Sequence, residues 1–167
     1  MYSYMMLILF GLPGAGKTYI GKLLEKEFGF FFYDGDIDLT EEMKQAITTK
    51  TPFTDQMRDV YFNTLLQTVS RLHVKHQKLV LAQTFIKETY RKIFLKSFPH
   101  VQFVLIAVKT SVREKRLKKR KELPLDISYT RQMVQNFEKP IISHIVVANN
   151  QDGEVHLKKQ LSVLLTN

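Results

Sequence analysis

Residues 11–18 read Gly-Leu-Pro-Gly-Ala-Gly-Lys-Thr, a complete G-x-x-x-x-G-K-[ST] pattern. Its chemistry is anion binding. Gly11, Gly14, Ala15 and Gly16 form a loop that turns tightly and aims backbone N–H groups at phosphate oxygens. The start of the following helix adds partial positive charge at the same point. Lys17 is expected to reach the β- and γ-phosphates of a nucleoside triphosphate, and the Thr18 hydroxyl to ligate Mg²⁺. A second pair of reactive groups follows at Asp34-Gly35-Asp36. Two carboxylates spaced by a glycine that permits a sharp turn can divide two tasks. One faces a metal ion; the other positions or deprotonates an attacking hydroxyl.

The elements around these residues fit the tasks. Met5–Phe10 is a continuous apolar run, as in a buried parallel strand. Ile20, Leu23, Leu24 and Phe28 then recur on one helical face. Strand, glycine loop and helix together are the context that the pattern requires. Further strands are expected at residues 29–33, 79–82, 101–108 and 142–148. Helices are expected at 39–47, 55–76, 89–98, from Ser111 onward, 128–137 and 155–165. Ser111 is read as an N-cap, with Glu114 as its capping-box partner. Five apolar strands alternating with helices predict an α/β, three-layer fold, with a mostly parallel sheet covered on both faces. Ligands bind at the carboxyl ends of such strands. There the glycine loop, Asp34–Asp36 and Gln83–Lys87 should converge.

Composition sets the outer bounds. The chain has 167 residues, 44% hydrophobic, with no linker, repeat or low-complexity stretch, and reads as one domain over residues 1–167. It has no cysteine, which excludes disulfides and thiolate metal sites and is compatible with the cytoplasm. The first apolar run is too short to span a bilayer and reads as a strand, not a leader, so no membrane partner is expected. The net charge of +9 points to polyanionic partners. Residues 113–121 concentrate that charge and suggest a basic lid over phosphates. The histidines show no metal-ligand spacing and read as structural or solvated. Asn149 and Asn150 read as turn formers.

In its blocks the chain resembles the small P-loop metabolite kinases, particularly gluconate kinases and their shikimate-kinase relatives, over about residues 5–140. The blocks are the glycine loop, Asp34-Gly35-Asp36, Pro52-Phe53-Thr54-Asp55-Gln56-Met57-Arg58, Lys87 with Tyr90-Arg91, Arg116-Leu117-Lys118-Lys119-Arg120, and Phe137-Glu138-Lys139-Pro140. The resemblance implies ATP and Mg²⁺ as cofactors and a small, anionic hydroxyl acceptor of the gluconate kind. It implies Lys17, Asp36 and Arg120 as catalytic residues, with Asp34 beside Thr18 at the metal. Arg58 and Lys87 are implied at the acceptor, Arg116 near the adenine, and a lid over about residues 118–130. The matches break at Ile37-Asp38-Leu39-Thr40, where gluconate kinases carry His-Pro. They break again at Ala82-Gln83-Thr84-Phe85-Ile86 and at Leu123-Pro124-Leu125. Two other readings fit the same residues. One is a nucleoside or polynucleotide 5′-hydroxyl kinase, with nucleic acid as the less favoured partner. The other is a nucleotide-binding module without catalysis.

Overall fold

The computed structural model describes residues 4–120 and 126–166. Its centre is a sheet of five strands: β1 (Met5–Phe10), β2 (Phe31–Asp34), β3 (Lys78–Ala82), β4 (Gln102–Ala107) and β5 (Ile145–Ala148). Every pairing is parallel, in the order β2-β3-β1-β4-β5. The chain leaves β1 toward one side of the sheet and later crosses to the other. β1 is therefore where the strand order reverses, and a crevice opens at its carboxyl end.

The alternation of side chains along β1 explains the three layers. Met6, Ile8 and Phe10 point into one core, and Leu7 and Leu9 into the other. Helices α1 (Lys17–Phe28) and α7 (Val155–Thr166) cover the second face through Ile20, Leu23, Leu24, Leu157 and Leu161. Helices α3 (Asp55–Lys75) and α4 (Glu88–Ser97) cover the first through Tyr61, Leu65, Val69 and Phe94. The remaining helices are α2 (Glu41–Thr48), α5 (Thr110–Lys119) and α6 (Ile127–Asn136). Among the described residues, no helix is long and apolar enough to cross a membrane.

Element types agree with the sequence expectations, but several ends differ for local reasons. β5 begins at Ile145, three residues later than the apolar pattern suggests, because the backbone N–H groups of Ile141 and Ile142 are held by the Glu88 carboxylate instead. α5 starts at Thr110, so Ser111 is not its N-cap. Lys109 occupies that position without a side-chain cap, and its own N–H donates to Asn150 Oδ1 at 2.7 Å. The expected capping box with Glu114 is therefore absent. Real caps are found at Thr40 and Thr54, whose hydroxyls accept from Met43 N and Met57 N. The three adjacent phenylalanines do not form a shared surface. Phe30 is buried, Phe31 stacks on His76 at 3.8 Å, and Phe32 fills the space above Gly21 of α1. Leu123-Pro124-Leu125, expected to interrupt the basic helix, lies outside the described residues.

Candidate active site

β1 ends at Phe10 and the backbone turns through Gly11, Gly14 and Gly16, with φ of 139°, 81° and 97°. Gly16 is the most constrained. Besides its left-handed backbone, a Cβ there would lie 2.4 Å from Asn149 Nδ2. That amide donates to Ala15 O at 2.9 Å, so buried Asn149 clamps the loop from the end of β5. Sequence reasoning took Asn149 for a turn former; the missed signal is a polar residue ending an apolar strand. Lys17 curls over the loop and donates to Gly11 O at 2.9 Å and Leu12 O at 3.0 Å.

Asp34 closes β2 beside this loop and both of its oxygens are engaged. Oδ2 accepts from the Thr18 hydroxyl at 3.2 Å, and Oδ1 accepts from Asp36 N at 3.0 Å. The second bond caps a 3-10 turn over Gly35–Asp38, which turns Asp36 into the cleft. Gly35 does not take a left-handed backbone, so the expected sharp turn is not why glycine stands here. Its missing side chain admits neighbours: a Cβ would meet Tyr61 Oη at 3.0 Å, Ala82 O at 3.1 Å and Gln83 Nε2 at 3.1 Å.

That packing brings in Tyr61, which motif reading passed over, and gives Gln83, expected at the crevice, a set of partners. The Tyr61 hydroxyl donates to Gly35 O at 2.9 Å and accepts from the Gln83 amide, while Gln83 Oε1 accepts from Thr84 N at 2.5 Å. The Gln83 amide also lies beside Asp36 and favours its charged form. The only sequence signal was a glutamine at the carboxyl end of a buried strand.

A cleft of about 540 Å³ joins these groups. Gly14, Gly16, Lys17, Thr18, Asp34, Asp36, Arg58, Lys87, Arg116 and Arg120 all line it. Gly11 and Ala15 lie behind it, both buried, where they shape the loop. Arg120 stands just past the end of α5 in extended conformation, so it does not continue the helical face that carries Arg116. Arg116 turns to the far side of the loop, toward Ala15 O and Gln151 O. There it borders a smaller hollow of about 360 Å³ with Tyr19, Asn149 and Gly153. Arg58 pairs with Asp55 at 3.2 Å, and Lys87 with Glu138 at 3.2 Å.

The charges are coupled. Burial lowers Lys17 to a pKa of about 8 against the pull of Asp36 and Asp34, with Arg120 lowering it further. Asp36 opens to the cleft, yet the cleft walls strip part of its hydration. That loss and the like charge of Asp34 raise its carboxyl above the ordinary aspartate range.

Beyond β3 the backbone is strained and strongly braced. Phe85 has φ of 50°, costly for a bulky side chain. Fully buried Arg91 holds it, donating to Phe85 O at 2.9 Å and Ile86 O at 3.1 Å, and pairing with Glu88 at 2.6 Å. Its guanidinium also sits by the Phe10 and Phe137 rings. Glu138 accepts from Glu88 N at 2.7 Å, which ties the loop carrying Lys87 to the segment after α6.

The residues fit a hard cation beside a polyphosphate. A hydroxyl and a carboxylate meet at the mouth of the loop, and one or two protein oxygens suffice when phosphates supply others. Among the described residues, no group of three or more His, Asp or Glu is arranged to hold an ion alone.

The chain is similar to known proteins in sequence and in fold. A family model described as "AAA domain" matches residues 6–140, which span the loop, both aspartates and the basic helix. The chain is 35% identical over 97 residues to a probable gluconokinase of Xenopus tropicalis, covering 58% of this chain and 51% of that protein. It is 36% identical over 94 residues to a shikimate kinase of Bartonella quintana, covering 54% and 43%. The chain spans about half the length of the curated relatives it matches. Among solved structures, an unliganded sugar kinase from Janibacter sp. superposes with a TM-score of 0.81 at 21% identity, over 96% of this chain and 94% of that one. A gluconokinase from Sinorhizobium meliloti does so with 0.79 at 20%, over 98% and 93%. These likenesses show the fold of a P-loop kinase. By the match through its loop, its strands and its basic helix, the chain belongs to the AAA domain family.

Proposed function

We propose that this chain transfers the γ-phosphoryl group of ATP to a hydroxyl of a small, anionic metabolite, and that a sugar acid of the gluconate kind is the first candidate. The observation that carries this reading is the meeting of Lys17, Asp34, Asp36 and Arg120 in one cleft at the strand ends, where their charges act on Lys17 and Asp36. The names of the relatives at about 35% identity support the acceptor class. Residues 1–167 are read as one kinase unit.

In this reading the glycine loop receives the phosphates, and Lys17 exchanges its two carbonyl partners for phosphate oxygens. The hollow bordered by Arg116, Asn149 and Gly153 takes the base. Thr18 and Asp34 hold Mg²⁺, which when bound neutralises charge on the β- and γ-phosphates. Asp36 orients the acceptor hydroxyl and receives its proton as the oxygen bonds to phosphorus and the bond to ADP breaks. Its raised pKa makes it a more basic proton acceptor than an ordinary aspartate. Arg120 and Lys17 stabilise the charge that develops on the transferring group. Arg58 and Lys87 grip the acceptor's anionic end. The lid implied over about residues 118–130 has its middle, residues 121–125, outside the described residues; at its start Arg120 lines the cleft, and Asp126 pairs with Lys50 in the turn after α2.

The test is ADP release from purified protein with Mg·ATP across a panel of sugar acids and other hydroxy acids, with Lys17→Ala as the contamination control. Acid-dependent turnover absent from the control is expected. ADP release indifferent to every acceptor, or equal in the control, contradicts the proposal.

A further inference from the structure

Much of the described lining at the acceptor end of the cleft is apolar. Its lining includes Leu39 after the Asp36 turn, Ile47 from α2, Phe53 before α3, Phe85 after β3, and Tyr129 and Met133 from α6. Leu39, Ile47, Phe53 and Met133 are only half-buried, so their surfaces remain for a ligand to cover. The polar side chains among them are largely committed. The Tyr61 hydroxyl bonds Gly35 O and Gln83, and both ends of the Gln83 amide are engaged. The Tyr90 hydroxyl donates to Asp59 at 2.7 Å. These aromatic groups therefore offer ring surface more than hydroxyls. Among the described residues, the side chains left to meet a ligand there are the Asp36 carboxylate, the Thr84 and Tyr129 hydroxyls, and two cations, Arg58 and Lys87, each with one carboxylate partner and further donors to give.

Resting on the phosphoryl-transfer reading above, we infer that the acceptor is a partly deoxygenated hydroxy acid. One hydroxyl meets Asp36, a carboxylate meets Arg58 and Lys87, and a hydrocarbon edge packs on Leu39, Ile47 and Phe53. Gluconate carries a hydroxyl on every carbon beyond its carboxylate. Pressing those groups against alkyl and ring surfaces removes their water without replacing its hydrogen bonds. A ligand lacking some of them covers the same apolar surface at no such cost. The wall thus sets a preference within sugar acids. It also lies near two of the places where the chain departs from gluconate-kinase blocks, Ile37-Asp38-Leu39-Thr40 and Gln83-Thr84-Phe85-Ile86.

Apolar pockets discriminate against an added hydroxyl by roughly a hundredfold at most, so the effect is measurable but finite. The experiment compares kcat/KM for gluconate, 2-deoxygluconate and 3-deoxygluconate with Mg·ATP, in the native chain and in Phe53→Asn and Ile47→Asn. At least one deoxy acid is expected to exceed gluconate by about tenfold or more, and the variants to narrow that ratio. If a variant does not fold, the ratio in the native chain decides alone. Gluconate equal to or better than both deoxy acids overturns the inference and leaves the kinase reading standing. If acids bind without turning over, the same ratio is read from Kd by calorimetry on protein loaded with a non-hydrolysable ATP analogue. If no acid of the panel turns over or binds, the inference and the kinase reading fall together.

Discussion

The two ends of the cleft are built by different means. The phosphate end is contiguous: eight residues of backbone, one lysine and one hydroxyl, fixed from outside by Asn149. The end proposed for the acceptor is assembled from the turn at Asp36, α2, the start of α3, the loop after β3 and α6, and is held by buried Arg91 and Glu88 with Glu138 outside them. The first is a backbone device that suits any polyphosphate. The second is a side-chain device, and its specificity changes whenever one of five segments changes. Divergence within such a fold should therefore leave the donor site intact and alter the acceptor site, which is the pattern of this chain's departures.

The comparison can be broken from either end. Lys17→Met should act through the phosphates alone and lower acceptor-dependent ADP release by about a thousandfold or more, with the melting temperature little changed. Arg91→Met strikes the other end. It leaves Glu88 buried without its cation and frees the strained Phe85 turn, at an expected cost of about 3–5 kcal/mol in stability. Thermal unfolding measures this, and ATP affinity in the folded fraction should be kept. Loss of ATP binding in folded Arg91→Met would show that the two ends are not separable. Asn149→Ala removes one buried hydrogen bond from the loop. It should weaken ATP by about tenfold, the equivalent of about 1.4 kcal/mol, without changing the acceptor KM.

The smallest effect is on pH, and it separates the ends by sign. Lys17 is lowered to about 8, so its cation is present below that value and is lost as pH rises through it. ATP affinity should be level below about pH 8 and fall above it; Lys17→Arg should flatten the fall. Asp36 is raised, so its carboxylate is lost, as pH falls, at a higher pH than for an ordinary aspartate. Turnover should decline there on the acid side while ATP binding persists. A pH–rate profile beside a pH series of ATP titrations reads both limbs.

What the sequence made legible follows the same division. The glycine loop, Asp34 and Asp36 could be read because their chemistry depends on neighbours in the chain. Strand and helix types could be read because apolar periodicity is local too. Tyr61, Asn149 and the partners of Gln83 escaped because their roles arise only when distant segments meet. Asn149 serves Ala15, and Tyr61 serves Gly35. Gly35 itself was picked out for a local reason, a sharp turn, and is needed for a tertiary one, the close approach of Tyr61 and Gln83. Ser111 failed as a cap for a related reason: Asn150, across the sheet end, fixes the Lys109 N–H and with it the start of α5.

The central claim is that Asp36 handles the acceptor while Lys17 and the loop handle ATP. Its most direct test is Asp36→Asn, measured for both ATP affinity and acceptor-dependent ADP release. The account predicts ATP affinity within about threefold of the native chain and turnover lower by about a hundredfold or more. Turnover preserved in Asp36→Asn would contradict it.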